Sequence, residues 1–133
     1  MKSWARKRTW RAYAVALVGA LVLGPEASHA HHSGAMFDYD RAVTLVGTVK
    51  QFQWTNPHCW IELSVPGENG VVEEWSVEMG APLQLYQGGW KPGTLKPGDE
   101  IKVVIRPNRD ASVRAGLFVS AVGGDGRVLG KPP

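Results

Sequence analysis

Cysteine is almost missing from this chain, with only Cys59 in 133 residues. No internal disulfide can form, so any domain must be held by its core alone. Long hydrophobic runs are missing too. The longest apolar stretch, 12–24 (AYAVALVGALVLG), has thirteen residues and falls short of the about 20 that a membrane-spanning helix needs. There is no Gly-rich phosphate loop, no G-x-S-x-G motif and no Ser/His/Asp grouping, which removes the usual signatures of nucleotide binding and serine hydrolysis. Internal repeats and low-complexity tracts are likewise absent.

A basic surface is missing where it would matter. The formal charge is +3, but residues 1–30 hold five of the fifteen basic side chains and one of the twelve acids. Residues 31–133 keep ten basic against eleven acidic groups, a net of −1. No basic stripe remains to follow a phosphate backbone, so nucleic acid is not an expected partner.

What the first thirty residues do have is the three parts of a secretory signal: a cationic start, the apolar run, and small residues at Ser28 and Ala30. Cleavage after Ala30 is expected, with release to the periplasm or beyond and no stable membrane insertion afterwards; an uncleaved anchor is the alternative. Arg6-Lys7-Arg8 lacks a clean Arg-Arg pair and does not favour the twin-arginine route.

Residues 31–133 then form one small domain with an N-terminal His-His arm. Short β-rich segments alternate with turn signals: 42–54 with Gly47 as a bending point, 59–65, 71–79, 100–107, 115–122 and a short terminal 127–130. The Asn69-Gly70 pair marks a hairpin tolerant of positive φ. Pro82 suits a first helical turn that Gly88-Gly89 ends, with Leu83, Leu85 and Tyr86 turned inward. Five to six strands with one short helix between strands three and four predict an all-β, OB-like barrel; a β-sandwich is the alternative.

Cleavage would make His31 the first residue and His32 the second. An α-amine beside an imidazole is a chelate, and these nitrogen donors suit Cu(II), Ni(II) or Zn(II), copper above all. His58 would supply a further nitrogen. Strand period puts Cys59, Ile61, Leu63 and Val65 on the core face and His58, Trp60, Glu62 and Ser64 on the other. Cys59 is therefore expected to be a buried, inert thiol, and Trp60 with Glu62 a ligand-binding face. In a straight hairpin the arm and His58 stand at opposite ends of strand one, so the arm must fold back. Asp38 and Asp40 could add oxygens and Met36 and Met79 thioethers, though solubility and packing explain them as well. Glu73, Glu74 and Glu78 read as a solvated strand face.

The segments HHSGAMFD, GTVKQFQWTNPHCWIEL, EEWSVEMGAPLQLYQGGW and LKPGDEIKV, taken together, resemble the exported bacterial proteins grouped as domain of unknown function 6152. The resemblance spans essentially all of 31–133. It implies a small exported β-barrel-like domain, with the His-His pair on His31 and His32 and the Asn-Pro-His turn on His58, and brings no activity with it. The position after that histidine is variable in the resemblance, which weakens any role for Cys59. The leading expectation is a non-enzymatic periplasmic binding protein holding copper or another transition metal at His31, His32 and His58. Its rival is an OB-type interaction module that takes a protein partner or small ligand on the Trp60 face without metal.

Overall fold

Leu45, Gly47 and Val49 are buried while Thr44, Val46, Thr48 and Lys50 face out. That period of two makes a strand with one wet face, β1 (Val43–Gln53). The same alternation gives β2 (Trp60–Pro66) and β4 (Glu100–Pro107), and pairing with their neighbours sets β3 (Val72–Glu78) and β5 (Ala115–Gly123), with α1 (Pro82–Gln87) between β3 and β4. The computed structural model describes residues 34–130. Within them the strands close into a barrel in the order β1-β2-β3-β5-β4. All neighbours are antiparallel except β3 and β5, which run parallel over Ser76–Glu78.

This is the OB-like barrel expected, not a sandwich. The count settles at five strands, because 127–130 contributes only an isolated bridge between Val122 and Val128. The pairing of β1 with β2 shifts register between Val49 and Gln51, and Gly47 permits close approach, since a Cβ there would lie 2.6 Å from the Ser64 carbonyl oxygen of β2. One further expectation changes. In α1 only Leu85 is buried, while Leu83 and Tyr86 are 70% and 61% exposed. A six-residue helix shows the barrel one narrow stripe, and Leu83 and Tyr86, three apart, share the opposite face. The Asn-Gly signal holds: Asn69 has φ 59° and Gly70 φ 75°.

The interior is apolar and tightly filled, with Ile61, Leu63, Val77, Val103 and Ile105 fully buried. Trp90, just past α1, plugs one end, edge-on to Phe118 at 5.4 Å and tilted against Phe52 at 6.0 Å between ring centroids. With no disulfide available, this burial is what holds the domain together.

Closure also decides what lies beside what on the outer wall. One registered row runs Arg106, Leu117, Glu78, Trp60, Gln53 across β4, β5, β3, β2 and β1. The far end of β1 thus returns to the level of its own beginning, where the Arg106 guanidinium donates to the Arg41 carbonyl at 3.3 Å. A straight hairpin would hold the two ends of eleven-residue β1 about 36 Å apart. Around the wall, the segment before β1 is separated from β3 by about three strand spacings, ~14 Å. The opposite-ends geometry is therefore corrected by the shear of the barrel.

Candidate functional site

The loop from β1 to β2 carries Trp54, Thr55, Asn56, Pro57, His58 and Cys59, with a cis Asn56–Pro57 peptide. Thr55 Oγ1 donates to the His58 carbonyl at 3.0 Å, folding the loop on itself. Cys59 and Met79 then tie the loop's end to the chain after β3: Met79 N–H bonds the Cys59 carbonyl at 2.9 Å, and Cys59 N–H bonds the Gly80 carbonyl at 3.0 Å. Inward, Cys59 is fully buried, and burial pushes its thiol pKa up, opposed by its contact with the Thr55 carbonyl. Both features match the expected inert core thiol.

Outward, the His58 side chain is 38% exposed and its Nδ1 lies 2.5 Å from Glu78 Oε1. Glu78 is 5% exposed and is the buried charged side chain among the described residues. Its position explains this. On the same outer face the register sets Trp60 to one side of it and Leu117 to the other, and His58 closes the third. A buried carboxylate demands a partner, and imidazole supplies one. The carboxylate meets the ring at Nδ1, so of the two neutral tautomers the one that donates to Glu78 is Nδ1–H, which keeps the lone pair on Nε2. The pair is an imidazole oriented from behind, with its second nitrogen turned away from its carboxylate.

Glu78 is thus not part of a solvated strand face. The signal for it was the hairpin: an unbroken register from Pro66–Val72 beside the turn to Trp60–Glu78 at the mouth carries Glu78 next to His58. Glu74 does remain exposed, in an ion pair with Lys50 and accepting from Ser64 Oγ at 3.1 Å. Glu73 accepts from Trp75 Nε1 and Arg114, each at 3.0 Å, while Arg114 stands 5.6 Å over the Trp75 ring. On the proposed ligand face Trp60 is half-buried, and Glu62 accepts from Ser76 Oγ at 2.8 Å.

His31 and His32 lie outside the described residues. The arm that follows them is docked: Phe37 is buried and bridges Asn108, Asp38 N–H bonds the Pro107 carbonyl at 2.9 Å, and Arg109 N–H bonds the Met36 carbonyl at 2.8 Å. A turn from Asp38 to Arg41 then feeds β1. Met79 is buried and packs, whereas Met36 is 41% exposed. Among the described residues no three His, Cys, Asp or Glu side chains gather as a metal cluster, so His58 would need donors from elsewhere.

The model of a family of unknown function, DUF6152, matches residues 20–118. No curated protein and no solved structure matches the chain.

Proposed function

We propose that this chain, which belongs to DUF6152, a family of unknown function, is an exported binding protein that holds a transition-metal ion, copper above all, through His58 with His31 and His32. One observation carries the reading: Glu78 holds His58 by Nδ1 and leaves Nε2 as the free donor. Metal-binding histidines are characteristically oriented by a carboxylate on the other ring nitrogen, which fixes the tautomer and raises ligand basicity. Composition supports export, through the cationic start, the apolar run and the small residues before His31.

The test is a copper titration of the chain beginning at His31, beside the same chain with one residue added before His31 and beside His58→Ala. The reading requires both changes to weaken binding. Should neither do so, the metal claim fails and the interaction-module reading, with Trp60 and Glu62 as its contact face, takes its place.

A further inference from the structure

The core leaves one described tryptophan outside it. Trp90 lies within the buried cluster and Trp54 and Trp75 pack against it. Trp60 does neither, and it pairs with no other ring among the described residues. It stands half-buried on the outer wall, where strand pairing surrounds it with polar groups. Gln53 is its partner on β1, and the neighbouring outward pair on the same two strands is Gln51 with Glu62. Phe52 and Ile61, paired between them, turn inward, so all four of these side chains share the outer face. Directly opposed residues lie about 5 Å apart and alternate residues of one strand about 7 Å apart, which makes a compact block.

The polar groups of the block are not used by the fold. The Gln51 and Gln53 carboxamides and the Trp60 indole N–H have no hydrogen-bond partner among the described residues. Ser76 Oγ donates to one Glu62 oxygen at 2.8 Å, which aims the carboxylate and leaves its second oxygen able to accept. Charges around the block are matched. Lys50 pairs with Glu74 and His58 with Glu78, while Arg106, three strands away in the same row as Trp60, is turned onto the Arg41 carbonyl. Glu62 has no ion pair among the described residues. An anionic ligand would therefore meet a carboxylate with no free cation to offset it.

We infer that this block binds a neutral sugar, a pyranose with equatorial hydroxyls such as a β-linked glucose unit. The flat C–H face of the sugar lies on the open part of the Trp60 ring, an apolar surface with a polar tip. Its hydroxyls, each a donor and an acceptor, meet the Gln51 and Gln53 carboxamides and Glu62 around the edge. An apolar plate gives contact, and a few placed polar groups give orientation. A cation is the poorer occupant, because it would use the ring and Glu62 but leave the N–H donors of both carboxamides unanswered. The inference rests on the Trp60–Glu62 contact face and not on the copper site, since none of the four residues is a proposed copper ligand.

The test is cellobiose added to the metal-free, 15N-labelled full chain. The Trp60 indole N–H and the Gln51 and Gln53 carboxamide signals should shift together and saturate, with a Kd of about 1 mM. Trp60→Ala should weaken binding by about tenfold, and Trp60→Phe, which keeps a ring, should weaken it less. Gln51→Ala and Gln53→Ala should each weaken it with the backbone spectrum unchanged. Methyl β-D-glucoside should displace cellobiose, and methyl β-D-glucuronide, its carboxylate counterpart, should not. Signals that move elsewhere, no saturable shift, or a glucuronide that binds as well as the glucoside would each overturn the proposal. So would shifts at Trp60 with tetramethylammonium and none with cellobiose, because they would identify a cation site. Copper affinity is a separate measurement, so the sugar site can fail while the copper reading stands, and the reverse.

Discussion

His58 turns Nδ1 onto the Glu78 carboxylate at 2.5 Å, and the rest of the wall around Glu78 keeps that carboxylate from water. Each partner therefore depends on the other. Removing His58 leaves a buried carboxylate without its donor, and Glu78→Ala leaves the ring unheld. Each single substitution is expected to cost about 1–3 kcal/mol in chemical denaturation. The double substitution should cost less than the sum, with a coupling of about 1 kcal/mol. Additive losses would mean the pair does not act as a unit.

The same contact fixes a tautomer. In the metal-free protein, nitrogen chemical shifts of the neutral form of the His58 ring should report the Nδ1–H tautomer, and Glu78→Gln should shift that balance. Where metal binds, Glu78→Gln should also lower affinity by about 10- to 100-fold, the usual effect of losing an outer carboxylate. The metal-free shift and the affinity loss are separate readouts, so the orientation can hold even if the metal reading falls.

Much of this barrel was legible in the sequence, and the reasons differ by element. Alternation in 59–65 placed Cys59 and Ile61 inside and His58 outside, because one face of that strand had to be apolar. Asn69-Gly70 located the hairpin through its positive φ. Glu78 was not legible from its own neighbourhood, where three glutamates on an alternating strand look like a wet face. Its burial comes from Leu117 on β5 and from the turn bearing His58, which local pattern does not contain. Leu83 and Tyr86 misled for a related reason: apolar character could not say how little of a six-residue helix the barrel would cover.

Cys59 should resist modification. Burial raises its thiol pKa and blocks access, so a disulfide exchange reagent should react many times more slowly with the folded chain than with the chain in denaturant. Rapid reaction in the folded state would place Cys59 on the outer face and His58 on the inner one.

Gly47 should tolerate no side chain. The obstacle to a Cβ is the Ser64 carbonyl oxygen at 2.6 Å, a backbone atom that cannot swing aside. Gly47→Ala is expected to destabilise the barrel by about 1–3 kcal/mol. Gly93→Ala, with open space around it, is the control and should change stability far less. Equal effects would show that β1 and β2 are not in close contact at Gly47.

Acid should loosen the β2–β3 hairpin. The Trp75 indole N–H, and then Arg114, hold the Glu73 carboxyl below its ordinary 4.5, and Lys50 and then Ser64 do the same for Glu74. A depressed carboxyl contributes stability that is present above its unfolded pKa and is lost as pH falls through the folded value. Glu74 is exposed and Glu73 partly so, so the effect should be small and screened by salt. Carbon-detected titration of the two carboxyls should give midpoints below 4.5; midpoints at or above it would show that the ion pairs do not persist in solution.

The central proposal is that His58 completes a metal site with His31 and His32, and copper affinity against pH tests it most directly. Copper and protons compete for the same imidazole and amine nitrogens, whose unperturbed pKa values are about 6.5 and about 7.7–8.0. For the chain beginning at His31, affinity should fall steeply from about pH 7 to about pH 5, more steeply than one imidazole would give. His58→Ala should lower affinity and flatten that dependence, with His31→Ala costing most because it would remove a ring donor beside the amine. A pH dependence and affinity that His58→Ala leaves unchanged would contradict the account, leaving His31 and His32 to bind copper as any His-His peptide does.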